Sequence, residues 1–181
     1  MQDHILEIRK FIPENICKKV ILYFQDSFED ALTVGGLDKN IRNCLKQDML
    51  NTDTLGKKIV SNYIQSKFFE IADIYKQRNK HFAFEKISQL ELLKYDSNNY
   101  DAGYSFHVDA GSKCTDRQLS ISINLNNNFE GGEFVFDVEN DHKQYPQNTG
   151  DIVAFPSSFL FPHQVNKIKS GSRYAIVGWI Q

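Results

Sequence analysis

The segment "QLSISINLN" (118–126) decides the fold. It alternates without a break. Leu119, Ile121, Ile123 and Leu125 fall on one face, and Ser120, Ser122, Asn124 and Asn126 on the other. Such period-two alternation marks a strand with two unlike faces. Two arrangements satisfy it. In an ordinary antiparallel sheet the polar face meets water. In a barrel holding a polar ligand, the polar face lines the interior, the apolar face lies under helices, and the small Ser120 and Ser122 leave room. The periodicity does not choose between them.

Outward from this segment, strands and turns continue in both directions. "FAFEKISQLELLKY" (82–95), "YSFHV" (104–108), "GGEFVF" (131–136), "GDIVAFP" (150–156), "HQVNKI" (163–168) and "SRYAIVGWI" (172–180) read as strands. "DSNNYDAG" (96–103), "NNNFEGG" (126–132), "YPQNTGD" (145–151) and "KSGS" (169–172) read as the turns between them. Many short strands at this spacing predict a sandwich or a closed barrel such as a jelly roll. Upstream, "ILEIRKFI" (5–12) reads as a short strand. Residues 13–31 read as a helix with Pro13 in its first turn and Ile16, Val20, Phe24 and Phe28 along one stripe. "TVGGLDKN" (33–40) breaks it. A second helix spans about 52–79, with a stripe of Val60, Ile64, Phe68, Ile71 and Tyr75. The expectation is one α+β domain over 1–181, with helical support over about 13–80 and a jelly-roll core over about 82–181, the helices covering one face of the sheets.

Composition narrows the function. Apolar residues make up 41% and charged residues 24% of 181, and the net charge is −2. That charge gives no broad footprint for nucleic acid. Cys17, Cys44 and Cys114 are widely spaced with no CxxC, which suits reduced thiols and a cytoplasmic setting. The N-terminus shows no signal-peptide pattern. No apolar run approaches the ~20 residues of a membrane span.

The candidate chemistry lies in "GYSFHVDAGS" (103–112). His107 and Asp109 are two residues apart and share a face if the strand continues. Imidazole with a carboxylate suits a divalent transition metal, and a third ligand is needed. Of the other histidines, His4 lies in the N-terminal segment and His142 in the charged loop "ENDHKQ", where solvation is expected. His81 follows the second helix and suits its carbonyl end. His163, in "FLFPHQV", opens a strand. With His107 and Asp109 it would form a two-histidine, one-carboxylate triad with open positions. The competing reading is a core histidine satisfied by a hydrogen bond. Arg173 adds a second signal: as a strand residue it shares a face with Ala175, Val177 and Trp179. A guanidinium there needs a carboxylate, supplied either by a small dicarboxylate ligand or by a surface acid at the strand mouth.

Taken in order, "LLKY", "HVD", "RQLSISINLN", "EGGEFVF", "TGDIVAFPSSFLFPHQV" and "SGSRYAIVGW" resemble the iron(II)/2-oxoglutarate-dependent dioxygenases, most closely the prolyl 4-hydroxylase branch with its compact bacterial and phage members. The resemblance covers about residues 90–180, with a weaker echo in "GGLDKNIRN" (35–43). It implies a double-stranded β-helix. It implies His107, Asp109 and His163 as metal ligands and Arg173 as the partner of the distal carboxylate of 2-oxoglutarate. Tyr95 matches a tyrosine on the cosubstrate side, and Asn124 stands where many relatives have another. Tyr104, Arg117 and Trp179 match substrate-contacting positions; without the resemblance they read as a turn aromatic, a solvated loop charge and a core tryptophan. The implied reaction uses Fe(II), 2-oxoglutarate and O2, with ascorbate as an optional addition, and hydroxylates a proline-containing peptide or protein while forming succinate and CO2. No nucleic-acid or membrane partner is expected. The alternatives are an oxygenase acting on a free amino acid, another small molecule or nucleic acid, a zinc hydrolase using the same triad, and a non-catalytic β-helix binding domain.

Overall fold

The computed structural model describes residues 2–99, 101–111, 113–138, 141–145 and 148–181. The chain begins with β1 (Leu6–Ile8), α1 (Glu14–Phe24), β2 (Glu29–Asp30), β3 (Arg42–Asn43), β4 (Leu45–Asp48) and α2 (Leu55–Arg78). Then come β5 (Ile87–Asp96), β6 (Gly103–His107), β7 (Leu119–Asn124), β8 (Phe129–Gly131) and β9 (Phe134–Val138). The chain ends with β10 (Asp141–Tyr145), β11 (Ile152–Pro156), β12 (His163–Val165) and β13 (Ile168–Ile180). Two sheets result. One runs β1-β11-β7-β13-β5-β4-β2, with β8 pairing the start of β13; the other runs β10-β9-β12-β6-β3. Every pairing is antiparallel. This is the expected jelly roll with helices on one face.

The alternation in β7 sets up two cores. Leu119, Ile121, Ile123 and Leu125 join Val20, Phe24, Ile64 and Phe68 in the layer under α1 and α2. Ser120, Ser122 and Asn124 face the space between the sheets and are at most 3% exposed. The interior arrangement therefore holds. Gly178 on β13 lets α2 approach: a Cβ there would come within 2.6 Å of the Phe68 ring. The second core, between the sheets, gathers Tyr95, Phe134, Phe136, Phe155 and Phe161.

Several expected boundaries move. The first helix ends at Phe24, not near residue 31, because Ser27 takes a positive φ of 74° that an α-helix does not accommodate. Phe28 leaves the helix yet still packs on the same core, against Tyr174. β2 falls at the end of the stretch expected as the first helix, and β3 and β4 fall in the unassigned stretch between the break and the second helix, so the 13–80 segment is not purely helical. The first strand shrinks to Leu6–Ile8, since Lys10 turns to φ 50° and donates its N–H to Asp151. The strand expected from 82 begins at Ile87. Instead Phe82 meets Tyr75 edge-on and Phe84 stacks on Phe69 and Phe82. His81 is exposed, and Asn79 rather than His81 serves the end of α2, through its N–H and Nδ2 to the Tyr75 carbonyl. His142 lies on the edge strand β10, not in a loop, but is exposed as expected. Glu139, Asn140, Pro146 and Gln147, in the loop and turn assigned around it, lie outside the described residues, as do Tyr100 and Ser112.

Candidate active site

His107 ends β6 and faces His163, which opens β12. The next paired residues are Tyr104 and Val165, so Ser105 and Phe106 together oppose Gln164 alone. This is a β-bulge, and bulges re-aim side chains. Tyr104 and His107, three apart, would face opposite sides of a regular strand. Here both face inward, their rings stacked 3.5 Å apart at 12°. The ladder stops at His107, so strand alternation is not what brings in Asp109. A bend does, anchored by the Ala110 N–H to the Ser157 carbonyl (2.8 Å) and by Arg117 to the Asp109 carbonyl (3.1 Å).

The three side chains converge. His107 Nε2 lies 3.7 Å from Asp109 Oδ1, His163 Nε2 lies 3.6 Å from Asp109 Oδ2, and the three donor atoms all fall within 4.8 Å of one another. Among the described residues this is the only such His/Cys/Asp/Glu group. The tautomers follow from the bonds on the far side of each ring. His107 Nδ1 meets the Ser105 carbonyl at 2.9 Å and His163 Nδ1 the Phe161 carbonyl at 3.1 Å. A carbonyl only accepts, so each Nδ1 carries the proton and each Nε2 presents a lone pair to the common point. Bonds of about 2.0–2.2 Å from such donors would fit one divalent ion. Burial pushes the His107 pKa down, aided by the neighbouring His163 and opposed by Asp109, which keeps the ring neutral and able to ligate. Burial pushes the Asp109 carboxyl up, but His163, His107, Ser120 and Trp179 outweigh it and the net shift is down.

A cavity of about 260 Å³ opens onto the triad. Arg173 sits in its wall at 2% exposure, paired in register with Tyr95 on β5, the guanidinium 5.5 Å from the Tyr95 ring centre. Gly132 makes room for it, since a Cβ there would come within 3.1 Å of Arg173 Cδ. Burial pulls the Arg173 pKa down, opposed by Tyr95 and Cys44. Ser120 shares a 2.8 Å hydrogen bond with Ser157 beside the triad. Tyr104, Arg117 and Trp179 also line the cavity. Asn124 does not: it is fully buried, its Nδ2 donates to the Asn126 carbonyl, and the cavity wall is formed by other residues.

The structure adds residues that strand patterns did not reveal. Arg42, Lys46 and Glu91 line the same cavity and form an ion-pair cluster, Arg42 to Glu91 at 3.3 Å and Lys46 to Glu91 at 3.4 Å. Leu32 and Val34 stand at its mouth, half exposed. The only signal for this side was the echo over 35–43, which contains Arg42. A larger, open groove of about 900 Å³, lined by Asn40, Asn98 and Asn166 among others, holds none of the triad. Among the described residues no helix is long and apolar enough to cross a membrane.

Comparison with known proteins agrees with this geometry. Residues 90–181 match the family described as the 2OG-Fe(II) oxygenase superfamily. A "PKHD-type hydroxylase" of Prochlorococcus marinus (strain MIT 9312) is 30% identical over 152 residues, which cover 82% of this chain and 63% of that relative's length. A prolyl hydroxylase from Trichoplax adhaerens, solved with a peptide fragment of hypoxia inducible factor, superposes with a TM-score of 0.83 at 19% identity, covering 98% of this chain and 83% of that one. A Pseudomonas putida prolyl-4-hydroxylase gives a TM-score of 0.79 at 15% identity, covering 98% and 92%. At these identities the two structural likenesses are likenesses of fold.

Proposed function

This chain belongs to the 2OG-Fe(II) oxygenase superfamily, and on that premise we propose that it hydroxylates a prolyl residue in a peptide or protein, with Fe(II) as the metal and 2-oxoglutarate and O2 consumed together. The observation that carries the reading is the convergence of His107, Asp109 and His163 on a cavity that also contains a deeply buried arginine. Metal and cosubstrate together supply an oxidant made from O2, one oxygen atom ending in succinate and the other on the substrate carbon, with CO2 released.

The chain's own residues bind and orient. The two Nδ1 protons, held by backbone carbonyls, fix both imidazoles with Nε2 inward. Arg173 offers a planar fork to the distal carboxylate, with Tyr95 alongside. Ser120 and Ser122 leave the volume a small diacid needs. Phe134 and Phe155 close the dry side of the site around His163. Tyr104 and Trp179 form aromatic walls against which a pyrrolidine ring can lie, and Arg117 stands at the rim near the peptide backbone. Cys114, in the polar loop after Asp109, lines the cavity and suits closure of that loop over an extended peptide, whereas Asn98, Asn99 and Asp101 line the separate, larger groove. The hypoxia inducible factor peptide in complex with the Trichoplax enzyme supports a peptide rather than a free metabolite. We read residues 1–181 as one catalytic unit. The free thiols Cys17, Cys44 and Cys114 fit a reducing, cytoplasmic compartment.

The test is anaerobic loading with Fe(II) and 2-oxoglutarate, ascorbate present as reductant, then O2 and a panel of proline-containing peptides. Proline-dependent succinate formation, with a product heavier by one oxygen atom, is expected. Oxidation of a free amino acid without any turnover of prolyl peptides would replace the peptide assignment with a small-molecule one.

A further inference from the structure

The three candidate ligands are not held alike. His163 lies inside a three-stranded ladder, between β6 and β9. Its ring is packed among Phe134, Phe136 and Phe155, with centres 5.3, 5.7 and 4.7 Å away. Packing and the Nδ1 bond to the Phe161 carbonyl fix it. His107 is the last residue of its strand, and Asp109 lies beyond the ladder. Chain ends of this kind fray unless something else holds them.

We propose that Arg42 and Arg117 are positioning residues, each fixing one of the two ligands at the end of β6. The inference rests on the metal reading of the triad and makes no use of the prolyl substrate. Behind His107 stands Tyr104, stacked on the imidazole, and the Arg42 guanidinium lies 5.1 Å from the Tyr104 ring centre. Arg42 is itself fixed: Nη1 donates to the Leu32 carbonyl at 2.9 Å and Nη2 to Glu91 at 3.3 Å. It is 9% exposed. Behind Asp109, Arg117 donates through Nη1 to the Asp109 carbonyl at 3.1 Å and through Nη2 to Gln89. Its guanidinium lies 3.7 Å from the centre of the Trp179 ring.

Both arrangements have the same parts: an arginine with a fixed far anchor and a flat aromatic partner, acting on one ligand. Only arginine combines a planar face with a fork of donors; lysine offers a point charge. The two clamps come from separate parts of the chain, the short β3 and the loop before β7. Two of the three residues matched to substrate contacts, Tyr104 and Arg117, thus turn one side toward the ligands.

The experiment is a Co(II) titration of the metal-free protein, followed by ligand-field absorption, with thermal melting of the same metal-free samples. Arg42→Met and Arg117→Met keep side-chain bulk and lose the fork. Each is expected to bind Co(II) about ten-fold more weakly or worse, the usual consequence of losing a partner behind a metal ligand, with an altered absorption band. Arg42→Lys and Arg117→Lys should recover less than half of that loss. A purely structural role would lower the melting temperature and leave Co(II) affinity alone. Should the methionine variants fail to fold, Glu91→Gln and Gln89→Ala remove the far anchors and leave both arginines in place. Affinity within about two-fold of wild type in every folded variant overturns the proposal. The wild-type titration tests the metal reading separately: a chain that binds no Co(II) sinks both, whereas tight wild-type binding with indifferent variants sinks only the clamps.

Discussion

The layer under the helices and the space between the sheets both bury one face of β7, but they are built on different terms. Under the helices, Val20, Phe24, Ile64, Phe68 and the apolar face of β7 meet one another with no polar atom of β7 pointing in. Between the sheets, the other face of β7 presents Ser120, Ser122 and Asn124 beside His163, Asp109 and Arg173, ringed by aromatics. All six residues of β7 are buried. Burial therefore does not separate scaffold from site. What separates them is the parity of the residue number: one side of a single strand carries stability, the other carries chemistry.

Substitutions on each side should move different measurements. The largest effect belongs to the site. Asp109→Ala should abolish 2-oxoglutarate turnover while the metal-free protein still melts cooperatively; measurable iron-dependent turnover would break the division. On the other side, Phe68→Ala should cost about 3–5 kcal/mol of stability in chemical denaturation, because it empties a fully buried position against Gly178. Its turnover per folded molecule should stay near wild type. Arg173→Ala should weaken 2-oxoglutarate binding by about 3 kcal/mol, as a buried charged group on the ligand loses its partner, and Arg173→Lys by less. Unchanged affinity in a calorimetric titration would remove Arg173 from the cosubstrate site.

The smallest effect lies at the margin of the scaffold. Asp151, 2% exposed, accepts from Arg9, the Lys10 N–H and the Asn148 N–H. Burial raises its pKa, but these donors outweigh it and the folded value lies below the ordinary one. A depressed carboxyl stabilises the fold above its unfolded pKa, and that contribution fades as pH falls through the folded value. The stability gap between wild type and Asp151→Asn should therefore be about 1 kcal/mol at neutral pH and close below about pH 4. A gap that widens in acid would reverse the assignment.

Much of this division was legible in the chain. The alternation of "LSISIN" named both faces of β7, and the order of "HVD", "HQV" and "SRYAIVGW" brought together the triad and Arg173 before any geometry was known. Periodicity needs length, however. β2 and β3 have two residues each and β4 four, too few for a pattern, so the segment carrying Arg42 and Lys46 gave no element. Phe28 continued the helical stripe although the helix had already ended, because a residue beyond a turn can still reach the same core. β10 is an exposed edge strand of polar residues, without the apolar alternation that marks a half-buried strand. Asn124 took its place from the resemblance, yet it is fully buried outside the cavity lining, with its Nδ2 donating to the Asn126 carbonyl.

The bulge at Ser105 and Phe106 carries a consequence of its own. A strand has a phase, and every residue added or removed shifts that phase by half a cycle. Before the bulge β6 is in step with β12; after it, one count ahead. The site is thus written in a shifted frame relative to the sheet that bears it. Regular pairing with both Ser105 and Phe106 kept would rotate His107 to the outer surface, whereas loss of one of them would leave Tyr104 and His107 two apart, in regular pairing and on the same inner face. The bulge is the counterweight of one extra residue. A further insertion or a slip of the ladder here, not a deletion, turns the ligand away from the site.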